Sequence, residues 1–229
     1  MHLGPETLGN PLRRVFKKNK HKKIIKKYHS KKLKWTDAKL KELKKDIRFS
    51  LRKAQDNRCI YCRRIIKNER RNAFEDIEHY LDKSKQKYKK WTFSPINLVL
   101  SCRTCNFIKS TKDLGGDTLL QTENIKDGIG GFKWIHPYFD NYHLNIKIDK
   151  GWVYSIPHGA PNSIGARNLI TDCMLDDIQT LEAYSENKKK YEMRLTLVAT
   201  KAVKKGKIDL ALSILQKLEE EKGKNWFDS

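Results

Sequence analysis

The chain has 229 residues, and 49 lysines and arginines against 27 acidic residues give it a formal net charge of +22. A charge of this size implies a polyanionic partner, nucleic acid or an anionic membrane surface. No apolar run approaches the roughly 20 residues that span a bilayer, and no secretory signal is recognised. We therefore expect a soluble, cytoplasmic protein with a modest hydrophobic core, since 38% of its residues are hydrophobic.

The N-terminal segment, residues 1–54, is predicted to form a basic arm followed by a helix. Residues 13–34 hold twelve lysines or arginines and no acid, which is typical of an arm that orders on a polyanion or of a solvated tail. Over residues 35–56 apolar residues recur every three or four positions, which predicts a helix with Thr36 at its N-cap. The apolar stripe consists of Leu40, Leu43, Ile47 and Leu51.

Residues 55–112 contain two CxxC pairs, Cys59 with Cys62 and Cys102 with Cys105. Two such turns can close a tetrahedral four-cysteine shell around Zn²⁺. A redox dithiol pair and an iron–sulfur cluster are the alternatives, and the doubled CxxC in a reducing compartment favours structural zinc. The fifth cysteine, Cys173, stands in an apolar helical stretch and is expected to be a buried small side chain.

Two motifs lie within this segment: FEDIEHY at 74–80 and NLVLSCRTCNFIK at 97–109. An acid–histidine pair, an asparagine opening a second strand and a polar ligand on the following helix resemble the HNH, or ββα-metal, endonucleases. Interleaved CxxC pairs are common in that family, and the resemblance covers about 55 residues. It implies an α+β protein with a ββα-metal core at 55–112, braced by the zinc site.

The resemblance also implies the roles of the motif residues. His79 would be the general base that activates water. Asn97 would hold the loop and orient His79 rather than bind the metal. Glu78 and Asn106 would bind a catalytic Mg²⁺ or Mn²⁺, with Asp76 as a rival ligand on the strand face of Glu78. Two departures are noted: the third motif position is asparagine rather than histidine, and the acid before the histidine is glutamate rather than the commoner aspartate.

Basic residues around these motifs are expected to grip the phosphate backbone, with DNA the favoured substrate and little sequence specificity. The lysine-rich connection between the two motifs forms one side of the predicted grip, and arginines after the first CxxC form the other. The residues are Lys83, Lys85, Lys87, Lys89, Lys90, Lys109, Arg63, Arg64, Arg70 and Arg71.

The layout of the whole chain looks similar to the HNH subunits of Septu-type and retron-associated anti-phage systems, which act beside an ATPase partner. This resemblance implies an effector nuclease of antiviral defence. A restriction or mobile-element nuclease with the same core is the first alternative. A non-catalytic zinc protein that only binds nucleic acid is the alternative of another class.

The C-terminal region, 113–229, is predicted to be a β-hairpin followed by helices. A glycine-rich connection at 113–131 indicates a soft domain boundary, and alternation over 144–156 predicts the hairpin. Residues 163–222 read as helices separated near Gly206. A second polar cluster is interpreted as an aromatic turn packed on the core, with a second metal site as the alternative; its members are His136, Asp140, His143 and His158.

Overall fold

The structure is a computed structural model that describes residues 2–69, 72–116, 119, 122–128 and 131–224. Helices and small two-stranded antiparallel sheets alternate along the chain, which is compatible with the predicted α+β class. The chain divides into two compact units, Met1–Asp176 and Asp177–Ser229. The boundaries predicted from the sequence, after residues 54 and 112, both fall inside the first unit.

The basic arm is helical: α1 spans Arg13–Lys17 and α2 spans Asn19–His29. His21 is fully buried there, and its Nδ1 lies 2.9 Å from the carbonyl oxygen of Val15. Part of the arm therefore packs against the protein rather than extending into solvent.

The predicted helix begins later than expected, with a 3-10 turn at Ala38–Leu40 that leads into α3 at Lys41–Ala54. Asp37, rather than Thr36, caps it, because the Asp37 carboxylate accepts a hydrogen bond from the backbone N–H of Lys39 at 3.0 Å. The predicted stripe is confirmed as the buried face of this segment; all four members are fully buried, namely Leu40, Leu43, Ile47 and Leu51.

Both predicted motifs lie on a hairpin and the helix that follows it. After the short pair β1 (Asn68–Glu69) and β2 (Asn72–Ala73), β3 covers Glu75–His79 and β4 covers Leu98–Cys102. The strands β3 and β4 pair antiparallel, and α4 (Arg103–Lys109) follows directly. The connection between the strands contains 3-10 helices at Gln86–Trp91 and Pro95–Asn97.

The remainder of the first unit contains a 3-10 turn, a one-turn helix, a hairpin and a longer helix. The hairpin is confirmed but is shorter than predicted, because Leu144 lies in the one-turn helix. Its turn places Gly151 at φ +84°, a conformation that glycine adopts without steric cost. The bounds are Ile125–Gly128 for the 3-10 turn, Tyr142–Asn145 for α5, Lys147–Asp149 for β5, Val153–Ser155 for β6 and Ser163–Asp172 for α6.

Tyrosine hydroxyls tie this C-terminal part of the first unit to the segment that carries the cysteines. Tyr142 donates to the carbonyl oxygen of Tyr61 at 2.8 Å, and Tyr154 donates to that of Cys62 at 2.6 Å. Tyr138 donates to the carbonyl oxygen at the start of β4, also at 2.6 Å. These buried bonds explain why the glycine-rich connection does not end the first unit.

The second unit consists largely of α7 (Asp176–Lys204) and α8 (Ile208–Lys224). Gly206 lies between them at φ +71°, where the sequence predicted the break. Its described buried side chains are small alanines, among them Ala199 and Ala211. Among the residues that the structure describes, no helix combines the length and apolar character needed to cross a membrane.

Candidate metal centre and nuclease motif

The four paired cysteines come together, as predicted. Cys59 and Cys62 lie in the turn that follows α3, while Cys102 ends β4 and Cys105 lies in the first turn of α4. Their four sulfur atoms all lie within 4.8 Å of one another, and the Cys62 and Cys102 sulfurs are 4.0 Å apart. A tetrahedral ion with bonds of about 2.3 Å needs sulfurs about 3.8 Å apart, so the set can hold a metal such as zinc.

The protein also provides a polar partner for this cluster. The backbone N–H of Cys105 points to the Cys102 sulfur at 3.5 Å. Interactions with Cys105 and the other neighbouring thiols hold the pKa of Cys102 well below its ordinary value. The same interactions, with burial, raise the pKa of Cys105. A thiolate is the form that binds metal, so Cys102 is the thiol of this pair that its surroundings favour as a thiolate.

Arg63 was predicted to contact the phosphate backbone, but the structure buries it. It is 1% exposed, and its guanidinium carbon lies 3.9 Å from the centre of the Tyr142 ring. Burial lowers the pKa of Arg63, while Tyr142, Cys59 and Cys62 oppose that change. A cation buried beside these cysteines offsets the negative charge of a tetrathiolate centre and is not available to phosphate.

The acidic residues of β3 make separate contacts with α4. Asn106 donates a hydrogen bond through Nδ2 to Asp76 Oδ2 at 3.0 Å. Glu78, two residues along the same strand face, is buried and pairs with Lys109 Nζ at 2.5 Å. The structure thus brings the rival ligand Asp76, rather than Glu78, to the side chain of Asn106.

Lys109 was also predicted to contact phosphate, and the structure buries it as well. Its side chain is 1% exposed, and its ammonium both pairs with Glu78 and donates to the carbonyl oxygen of His79 at 3.0 Å. Burial raises the pKa of Glu78, and Lys109 acts against that rise. Lys109 therefore stabilises the end of β3 internally and does not present its charge to a phosphate at the surface.

His79 lies at the end of β3 and is 2% exposed. Its ring meets Trp35 edge to face, with ring centres 4.6 Å apart, and its Nε2 is buried without a hydrogen-bond partner. Burial, with Lys83 and Lys109 adding to it, lowers the pKa of His79 well below its usual value. The described contacts do not gather His79, Glu78 and Asn106 around one centre.

Asn97 holds the loop after β3, which is the structural part of its predicted role. Its Oδ1 accepts from the backbone N–H of Leu81 at 2.7 Å. Its Nδ2 donates to the carbonyl oxygens of Leu81 and Trp91, both at 3.1 Å. The hydrogen bonds described for its side chain thus go to backbone groups rather than to the imidazole of His79.

Three of the predicted phosphate-contacting lysines differ in their surroundings. Lys83 Nζ is 5.5 Å from the centre of the Trp35 ring, Lys85 is half-buried, and Lys89 is exposed.

The other members of the predicted grip have partners of their own. Lys87 pairs with Asp113 at 2.5 Å, and Lys90 donates to the carbonyl oxygen of Thr122 at 2.7 Å. Arg64 is half-buried with its guanidinium 5.9 Å from the Trp152 ring. Two further predicted contacts, Arg70 and Arg71, lie outside the described residues.

The second polar cluster packs as an aromatic turn against the core. His136 is fully buried, with ring centres 4.4 Å from both Tyr80 and Phe139. Its Nδ1 accepts from the backbone N–H of Tyr138 at 3.3 Å. Burial lowers the pKa of His136 to about 3.

A His136→Phe variant tests this burial through the pH dependence of stability. Below a pH of about 6.5 the His136 imidazole is protonated in the unfolded chain but stays neutral in the folded protein. Acid therefore lowers the free energy of unfolding of the wild type. In urea titrations, the free energy of unfolding of the wild type should therefore fall by about 1.4 kcal/mol relative to that of the variant when the pH is lowered from 7.5 to 5.5. A constant gap, matching that of the exposed-site variant His158→Phe, would show that His136 is not buried.

Two contributors to this region were not predicted. Gln55 bonds both backbone groups of Leu100 in β4, at 2.8 Å each, and Arg52 makes a two-pronged pair with Glu75 at the start of β3. A lone glutamine after an amphipathic helix gives no signal of such a role. Trp35, which covers His79, was detectable only as an aromatic residue ending a basic segment.

The two sites share α4, because Cys105 of the cysteine cluster directly precedes Asn106. Packing of α4 on β3 and β4 thus positions both the sulfur cluster and the polar pair of Asp76 and Asn106. Among the described residues, the four cysteines are the group of histidine, cysteine or carboxylate side chains that is arranged to hold an ion. No protein-family model, curated protein or solved structure matches the chain.

Proposed function

We propose that the protein is a metal-dependent endonuclease that hydrolyses phosphodiester bonds of nucleic acid, most readily DNA. The observation that carries this proposal is the 3.0 Å bond between Asp76 and Asn106, in the strand and helix that bear the HNH-like motifs. A carboxylate and an amide side by side, next to a cysteine cluster, are groups that a phosphodiester-hydrolysing metal site can use. His79 lies on the opposite face of β3, so it can join them only if the end of the strand rearranges when substrate binds.

Asp76 and Asn106 are the residues that would hold the catalytic cation. Carboxylate and amide oxygens are hard donors, which suit Mg²⁺ or Mn²⁺ with several waters retained. The ion would stabilise charge on the phosphate undergoing attack. Glu78 is placed to join them only if its pair with Lys109 opens.

His79 is the proposed general base. Its lowered pKa keeps the imidazole neutral near pH 7, the form that accepts a proton from water. The ring is closed off from solvent by its surroundings, among them Trp35. The proposal therefore requires Trp35 to move when a substrate is bound.

Plasmid cleavage with Mg²⁺ or Mn²⁺ tests the proposal directly. Wild type is assayed alone and with an ATPase partner, and it should nick or linearise the plasmid in at least one of the two assays. Under the same condition His79→Ala should be slower by at least about 100-fold, since general bases contribute roughly 10²–10⁴. His158→Ala, at an exposed histidine, is the matched control and should cleave as wild type does. Equal rates for His79→Ala and wild type would refute the assignment.

A non-catalytic zinc protein that binds nucleic acid is the second candidate. The Glu78–Lys109 pair and the buried imidazole of His79 favour it, because both hold motif residues in structural contacts. Absence of cleavage by folded, zinc-loaded protein, both alone and with a partner ATPase, would select this candidate if nucleic-acid binding is intact.

The biological setting proposed is anti-phage defence beside an ATPase partner, with a restriction or mobile-element nuclease as the alternative. The support is the similar layout of motifs, cysteines and C-terminal helices. A neighbouring gene that encodes an ATPase would favour defence, and cleavage assays with and without its product would then separate these settings. Defence predicts activity that depends on the partner.

A further inference from the structure

An open cleft of about 530 Å³ lies beside the proposed active site, between the N-terminal arm and the connection from β3 to β4. One wall is the end of α2 with the chain that follows it, and the other is the 3-10 helix Gln86–Trp91. Its volume lies in the range of about 300–1,000 Å³ that is typical of small-ligand sites. The cleft can therefore take up a unit the size of a nucleotide.

Aromatic side chains form part of the inner wall of this cleft. Tyr28 and Trp35 are both half-buried, and both contact the Phe93 ring, at 5.0 and 5.5 Å between ring centres. Trp35 continues from the cleft to His79, whose ring centre is 4.6 Å away. A ligand in the cleft thus lies one side chain from the proposed general base.

The rim of the cleft is basic. Lys31, Lys34 and Lys89 line it and are exposed. None of the described residues that line the cleft is acidic. Within the described part of the chain, these three ammonium groups form no ion pair. A positively charged concave surface attracts anions.

We infer that this cleft binds a single-stranded segment of nucleic acid, with an unpaired base against Tyr28 and the flanking phosphates near the rim lysines. Aromatic side chains stack on bases whose faces are free, whereas a duplex hides those faces within its own stack. The inference rests on the proposed function and narrows its substrate to strands with unpaired bases next to the cleavage site.

Fluorescence anisotropy with labelled (dT)12 and a matching 12-base-pair duplex, without added divalent cation, tests the inference on the full chain. Tyr28→Leu should weaken (dT)12 binding by about 5- to 150-fold without altering its salt dependence, because stacking is lost. Lys31→Gln with Lys34→Gln should lower the slope of log K against log salt by about 0.7 for each lost contact. Duplex binding should change far less in Tyr28→Leu.

The controls separate the cleft from general positive charge and from misfolding. Lys133→Gln with Lys150→Gln removes equal charge from exposed sites outside the cleft and should bind (dT)12 more tightly than the cleft double variant does. Tyr28→Phe keeps the ring and should bind as wild type does. Wild-type affinity in Tyr28→Leu, or an equal loss on the duplex, overturns the inference.

Binding in the cleft and nuclease activity can be tested separately. If (dT)12 binds through the cleft but plasmid is not cleaved, the nuclease proposal fails and the cleft stands. If plasmid is cleaved while the cleft variants bind normally, the cleft alone fails. A parallel titration with (U)12 shows whether the strand is DNA or RNA.

Discussion

Loss of the metal at the cysteine cluster is expected to unfold the first unit. The double variant Cys59→Ser with Cys102→Ser should fail to hold zinc and should lose its cooperative melting transition. Structural zinc contributes about 10–16 kcal/mol of apparent binding free energy to small domains, as much as the whole stability of many proteins. The cluster joins chain segments 40 residues apart, which the hydrogen bonds of Gln55 and Ile60 to Leu100 also link but with a much smaller free energy.

The measurements are zinc content and thermal unfolding followed by circular dichroism. Wild type should carry about one tightly held zinc per chain, the stoichiometry of a single four-cysteine site. Cys173→Ala is the control, because Cys173 is buried as predicted and interacts with Cys105 but lies outside the set of four. It should keep its zinc. A double variant that melts cooperatively at the wild-type temperature would show that the cluster is not a structural metal site.

Replacing Lys109 with methionine is expected to lower the free energy of unfolding by about 3–5 kcal/mol. The change removes the ammonium that pairs with the buried Glu78 and leaves a carboxylate uncompensated inside the protein. Lys109→Met with Glu78→Gln should recover most of the loss, because no unpaired charge remains. The hydrogen bond to the carbonyl oxygen of His79 stays lost in both variants.

Urea unfolding of wild type, both single variants and the double variant closes a double-mutant cycle for this pair. Lys53→Met, at an exposed position of α3, is the matched control and should change stability by less than about 0.5 kcal/mol. Additive effects of the two single changes would mean that Lys109 and Glu78 do not interact. Lys109 would then be free for the phosphate contact predicted from the sequence.

Patterns within one element were predicted well from the sequence. Spacing of three and four places Leu40 and Leu51 on one helix face whatever that helix packs against. Two CxxC turns in one chain segment are typical of a shared metal site, so the convergence of their cysteines could be expected from the sequence. The turn at Gly151 and the helix break at Gly206 follow from backbone freedom at those residues.

Side-chain contacts between residues of different helices and strands could not be predicted in the same way. Asp76 and Glu78 share one strand face, and nothing in their spacing says which of them meets Asn106 and which meets Lys109. Neighbours on a strand point to opposite faces, so the sequence pair of Glu78 and His79 does not imply a shared centre.

Charge at the surface was the least reliable inference, because composition does not report burial. Arg63 and Lys109 look like phosphate contacts in the sequence, yet both are buried next to groups with which they interact. The extent of the first unit was likewise decided by buried bonds from Tyr142 and Tyr154 across the glycine-rich connection. Spacing along the chain determines which side chains share a face, whereas only packing in three dimensions removes water and so selects their partners.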